Sequence, residues 1–387
     1  MKRFRSLVIC ALLASPVSCG RSTQDGSNVQ SAWNGVNDPL RLGGEFKRIL
    51  EQLPSNGRLM RLPWSDSYWP SNKGGVASRW NSSNTDGFGY TSPSRERVRA
   101  MSVEQLKALS PAEKYDIFMG RFDYPTVASE RNRVSRSDAD WEGICHGWAP
   151  ASLLYLEPGA ATLIGADGVR VPFGSGDVKA LLTYFHAVVN RGGVRGLGAR
   201  CRTKLNGRPG SSPECQDVNA GAFHVVLANQ LGLRKQGFVA DVTRDFEVWN
   251  QPVHGFSTRI RGYQKPSLGA APGTVKEAVV DTTMTYAFEI DPTWNPGVRK
   301  DRSKTYTYRL ELNNNGQIIG GEWYSLDRPD FLWTQGRRSF SGYYAKIFEV
   351  YKASVPDRDE TNLARALPQD ELNLPDVPDV SRSSSDE

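Results

Sequence analysis

The chain has 387 residues, a net charge of +6, 39% hydrophobic and 23% charged residues, and five cysteines. That is enough apolar material for a sizeable core, which excludes wholesale disorder, and too few cysteines for a disulfide scaffold. The positive charge is no nucleic-acid footprint: residues 355–387 hold nine acids and three arginines, and the cations elsewhere are scattered through loops with no basic helix or patch.

Residues 1–19 read as an export signal. Lys2, Arg3 and Arg5 precede an apolar stretch at 7–13, too short to span a bilayer, and small residues lead to Ser18-Cys19-Gly20. Val17-Ser18-Cys19 resembles a bacterial lipobox, with Pro16 where that pattern has Leu, so Cys19 is a candidate for lipidation. Membrane attachment is expected only through such an anchor. Residues 20–60 read as a flexible mature N-terminus or pro-segment, within which Phe46, Ile49, Leu50 and Leu53 mark a short amphipathic helix. Residues 61–353 carry the folded body, and 354–387 a disordered acidic tail.

The folded body opens with an aromatic, Pro-punctuated stretch from Leu62 to Trp80, expected to be extended and to pack its rings. Ser102 with Gln105, and Ser110-Pro111 with Glu113, each fit a helix N-terminus. A helix is expected from Trp148 to Leu156, a strand at 169–173, and a helix capped by Asp177 with Val178, Leu181, Leu182, Phe185, Val188 and Val189 on its apolar side. The glycines at 192, 193, 196 and 198 read as loop. Residues 223–227 and 238–242 read as strands, although periodicity alone also allows a helix for the first. From Val248 the chain turns β-rich, with a strand at 282–290 and a hairpin about Asn315-Gly316. The fold class is α+β, with a β-rich C-terminal portion.

Cysteine usage narrows the chemistry. Cys10 leaves with the signal, and Cys201 and Cys215 stand fourteen apart in a Gly/Pro/Ser-rich stretch that suits a loop-closing disulfide. Cys145 is then an unpaired thiol in an exported protein. It lies in Glu142-Gly143-Ile144-Cys145-His146-Gly147-Trp148-Ala149-Pro150, where flanking glycines allow close backbone approach and a nearby helix start would favour a thiolate. Pro150 is expected in the first helical turn. A thiol nucleophile needs a base. His146 is adjacent and diverges, His186 reads as a core histidine, and His254 sits in a turn-like stretch, which leaves His224 at the start of an apolar run. Asp241, an acid inside the apolar frame 238–242, would orient it if the two strands paired. No Cys-x-x-Cys or His-Glu-x-x-His is present for a metal. Trp141 and Trp148 flank the nucleophile, either to exclude water or as core.

The string Val248-Trp249-Asn250-Gln251-Pro252-Val253-His254-Gly255-Phe256 closely resembles the signature peptide of the transglutaminase elicitor family, with His254 where the family has Arg. The similarity extends to residues 110–124, the Cys145 segment and residues 223–241, and spans about 63–352. It implies a papain-like or transglutaminase-like core over 61–353, with Cys145 as nucleophile, His224 as base and Asp241 as orienter. The implied reaction is Gln–Lys isopeptide formation through a Cys thioester, with proteins bearing Gln and Lys, or small amines, as partners. No cofactor is required. The resemblance alone brings in calcium, for which Asp138, Asp140 and Glu142 are the candidate cluster. Two alternatives stand beside it: a cysteine peptidase or amidase with the same triad, and a non-catalytic surface-binding protein. The expected location is outside the cell, secreted or held at a bacterial envelope as a lipoprotein.

Overall fold

Short helices fill the chain up to about residue 190 and long strands dominate after 250. The computed structural model describes residue 33 and residues 35–200, 217–244 and 246–355. The expected signal, Cys19, the Cys201–Cys215 pair and the acidic tail beyond 355 lie outside the described residues.

A three-residue strand β1 (Asn56–Arg58) precedes four short helices, α1 (Arg95–Arg99), α2 (Val103–Lys107), α3 (Pro111–Phe118) and α4 (Pro125–Arg133). Helices α2 and α3 begin in full capping boxes: Ser102 and Ser110 accept from the N–H groups of Gln105 and Glu113, whose side chains accept in return. Helix α5 (Cys145–Leu154), the ribbon β2 (Ala161–Ile164) and β3 (Arg170–Phe173), and α6 (Ser175–Tyr184) follow. Asp177 stands at the third position of α6, where its carboxylate accepts from the Gly174 N–H at 2.7 Å and from Lys114 Nζ at 2.6 Å.

The remaining elements are β4 (Val194–Gly198), α7 (Ala220–Leu227), β5 (Phe238–Asp241), β6 (Asn250–Gln264), β7 (Lys276–Phe288), β8 (Lys300–Leu312), β9 (Ile318–Trp323), β10 (Phe331–Gln335) and α8 (Ile347–Ser354). One antiparallel sheet runs β4-β10-β5-β6-β7-β8-β9, with β1 also paired to β6. The glycine-bearing stretch expected as loop is thus strand β4, paired with β10. Residues 223–227 take the helical alternative and form most of α7.

The sheet separates two cores. On one side α7 packs Phe223, Val226 and Leu227 against Phe238, Ala240, Tyr306, Tyr308 and Leu310. On the other, Ala149 of α5 meets Val239 and Trp333, and beyond it Trp64, Trp69, Trp148, Tyr115, Phe173 and Tyr184 form the helical core. The alternation along β5 follows from strand pleating, with Phe238, Ala240 and Val242 toward α7 and Val239 toward α5.

Residues 35–60 differ from the flexible segment expected. Leu42, Phe46, Leu50, Leu53 and Leu59 are buried in the α7-side core, and β1 adds to β6 beside Gly255 and Phe256. Their apolar side chains cover the face that α7 leaves open, so burial orders the backbone. The expected amphipathic helix is only a 3-10 turn at Leu50–Gln52.

Candidate functional site

Cys145 is the first residue of α5, an N-terminal position whose N–H has no acceptor within the helix. Pro150 lies in the second turn and not the first, so the helix starts earlier than a first-turn proline implies, at the cysteine itself. The flanking glycines serve the protein's own packing. A Cβ on Gly143 would strike the Tyr68 carbonyl, and one on Gly147 would strike the Thr183 carbonyl and Ala187. They let α5 enter between the 66–69 segment and α6. Tyr68 O accepts from Ile144 N at 2.7 Å, and Trp69 beside it holds a left-handed φ of 52°.

Val248 and Asn250 touch the sulfur. The thiol donates to Val248 O at 3.8 Å, and Asn250 Nδ2 donates to Sγ at 3.5 Å. The Asn250 amide is fixed from behind, since Trp333 Nε1 donates to its Oδ1 at 2.8 Å. Asp241 pairs with Asn250 across β5 and β6, and its Oδ1 accepts from the Trp249 N–H at 3.1 Å. Tyr68 packs edge-on to Trp249 at 5.4 Å and donates its hydroxyl to Asp140 O at 2.7 Å. Burial pushes the Cys145 thiol up to about 11. Asn250 opposes this, while the carboxylates of Glu289 and Asp241 add to it. The helix N-terminus therefore does not produce a resting thiolate, because desolvation outweighs it.

None of the four histidines is among these contacts of the sulfur. His224 lies within α7, fully buried, with its Nδ1 against Tyr308 OH at 2.9 Å. Burial alone lowers its pKa to about 4. It does not sit at a strand end and does not pair with β5, whose partners are β6 and β10. It occupies the α7-side core, across the sheet from the cysteine, so the structure brings Cys145 and Asp241 to one place and His224 to another. His186 bridges Gln335 and Tyr155 at 2.8 and 3.2 Å, a satisfied core histidine. His146 is depressed to about 4 by burial, then by Arg133 and Arg191. His254 meets Asp301 at 3.1 Å.

Two site residues were not singled out from the sequence. Asn250 stood inside the signature string, and Glu289 near the end of the expected strand at 282–290. Gln251 Nε2 donates to Glu289 Oε1 at 2.5 Å, and burial holds the Glu289 carboxyl above its usual range. Trp148 is wholly buried and donates to Trp64 O, which makes it core. Trp141 is half-buried, edge-on to Phe246 at 6.0 Å. Asp138 is occupied by the Ser135 N–H and Asp140 by Asn72. Among the described residues no three His, Cys, Asp or Glu side chains gather as a metal site.

Comparison with curated protein sequences finds no match. Among solved structures, the GP42 transglutaminase from Phytophthora sojae is similar over 84% of this chain and 99% of that one, with a TM-score of 0.61 and 23% identity. The two share a fold of mixed helix and sheet. A sequence profile of the transglutaminase elicitor family matches residues 126–271 and 274–346, more than half of the chain and all of the elements around the cysteine except the 66–69 segment. The chain belongs to the transglutaminase elicitor family.

Proposed function

We propose that the protein is a protein-glutamine γ-glutamyltransferase in which Cys145 carries the acyl group. The observation that carries the reading is a lone free thiol, among the described residues, at the first position of a helix, gripped by the amide of the family's signature peptide. A helix that presents a cysteine from its N-terminus against an antiparallel sheet also supports a papain-like reading of the core.

Sγ attacks the γ-carboxamide of a protein glutamine, and ammonia leaves as the thioester forms. A lysine amine then attacks the thioester carbonyl and releases the thiol. The Asn250 Nδ2–H and the Cys145 backbone N–H are the donors beside the charge that develops on the carbonyl oxygen. Asp241 keeps an orienting role on a different target. It holds the Trp249 N–H, and so the strand start that presents Asn250. With His224 across the sheet, the thiol proton leaves on the departing ammonia, and Glu289 and Asp241 are the carboxylates felt at Cys145. This chemistry needs no cofactor, and no step is routed through calcium. The proposed setting is extracellular, reached through an export signal at 1–19, either secreted or anchored at Cys19, with a Cys201–Cys215 disulfide.

A second reading has one observation in its favour. The thiol is buried and its pKa is raised, as in an idle binding protein. Incorporation of a labelled primary amine into a glutamine-bearing protein, with ammonia followed, separates the two. Incorporation by the wild type that vanishes in Cys145→Ala supports transfer. Ammonia release without incorporation points to a hydrolase. Silence in both proteins, with and without calcium, supports the binding protein.

A further inference from the structure

Where β6 begins, two buried oxygens have no donor. Gln251 is 1% exposed and spends its amide N–H on Glu289 Oε1, yet its own Oε1 has no hydrogen-bond partner among the described residues, and neither has Glu289 Oε2. Burying an acceptor unpaired costs on the order of 1–3 kcal/mol, so two together call for a ligand rich in donors.

Glu289 is the member of the pair near the reacting sulfur, since its charge acts on Cys145. Gln251, one residue beyond Asn250 on β6, reaches it through its amide. Glu289 is the first residue past β7, whose Tyr286 stands opposite Val253 of β6. The next residue, Ile290, donates its N–H to Asp66 O at 3.1 Å, which ties this end of β7 to the segment bearing Tyr68. The negative charge of Glu289 is felt at both Tyr68 and Cys145. The nearby cations, Lys300 and Arg302, lie over the Phe288 ring at 5.4 and 3.3 Å, and neither forms an ion pair with Glu289.

An ammonium has three N–H donors, no acceptor and one positive charge, the complement of a carboxylate oxygen beside an amide oxygen. We propose that Gln251 and Glu289 form the seat of the acceptor substrate, a cationic primary amine of the lysine type, and that Glu289 takes its first proton. This rests on the acyl-transfer reading of Cys145. The ammonium gives one proton to the Glu289 carboxylate, and the free amine nitrogen forms a C–N bond with the thioester carbon as the C–S bond breaks. The second proton from nitrogen goes to the departing sulfur. Glu289 returns its proton to the ammonia released in the next acylation, which leaves as ammonium. Water, uncharged, gains less from this seat than an ammonium does, which favours transfer over hydrolysis.

The test compares two acceptors on the wild type, Glu289→Gln and Gln251→Met, with folding checked by thermal denaturation. Cadaverine is cationic at pH 7 and hydroxylamine is neutral. Glu289→Gln should lower kcat/KM for cadaverine at least tenfold more than for hydroxylamine, and Gln251→Met should shift the same ratio in the same direction but less. Equal losses for both acceptors, or an unchanged ratio in a folded Gln251→Met or Glu289→Gln protein, would overturn the seat while leaving Cys145 transfer intact. A wild type that releases no ammonia and transfers to neither acceptor would overturn both.

Discussion

Replacing His224 by leucine separates a base from a core residue, because the structure predicts a thermodynamic signature and not a kinetic one. The substitution removes the His224 Nδ1–Tyr308 OH contact at 2.9 Å, while Tyr308 keeps Thr282 Oγ1 at 2.7 Å. One lost buried hydrogen bond costs about 1–2 kcal/mol at pH 7, a fall of a few degrees in Tm. On acidification the sign reverses. The native pKa of His224 is about 4, against a reference of 6.5, so below 6.5 the unfolded chain binds a proton that the fold resists. Stability present at neutral pH is lost as pH falls through that window, by about 3 kcal/mol at pH 4. Leucine abolishes the loss. Urea titrations from pH 4 to 8 should therefore cross, with the variant weaker at pH 7 and stronger near pH 4, while kcat per folded molecule holds within about twofold. A base would instead forfeit about 10² to 10⁴-fold in rate. A hundredfold drop in kcat with an unchanged Tm, or parallel stability curves across the range, would refute the placement.

Alkylation of Cys145 by iodoacetamide, followed by peptide mapping, should titrate near pH 11 in the native protein and be about a hundredfold slower at pH 8 than in the urea-unfolded chain; a native midpoint below 8 contradicts the buried thiol. Gly147→Ala should cost several kcal/mol in chemical denaturation, since its Cβ has no room against Thr183 and Ala187, and a loss under 1 kcal/mol would mean that α5 is not seated so closely. Asp66, fully buried, has its pKa raised by burial to about 7, so it favours folding below about pH 4 and that contribution disappears as pH rises through 7. Asp66→Asn, which can still accept from Trp69 Nε1, should be the more stable protein at pH 8 by up to about 4 kcal/mol; equal stability there would show that the carboxylate is solvated.

What the sequence disclosed was mostly local. Ser102 with Gln105 and Ser110 with Glu113 cap their helices because a capping box closes within one turn. Asn315-Gly316 lies in the turn joining β8 to β9, with Gly316 at a φ of 71°. Cys145 was legible as the odd thiol near a helix start. His224 was misplaced because Phe223-His224-Val225-Val226-Leu227 is a short apolar run compatible with helix or strand, and its burial depends on which face of the sheet it covers. Asn250 and Glu289 were missed because their nearness to the sulfur comes from strand pairing, which sets Asp241 opposite Asn250 and brings the end of β7 beside the start of β6. The same holds for residues 35–60, whose composition reads as a linker until α7 and β6 supply a surface.

The most direct test of acyl transfer at Cys145 is to trap the intermediate. A glutamine peptide mixed with the protein without an amine acceptor, quenched in acid within one turnover and mapped by mass spectrometry, should leave on the Cys145 peptide an adduct equal to the substrate less one ammonia. Added cadaverine should discharge it. Ammonia release with no adduct on Cys145, or an adduct on any other residue, would contradict the account.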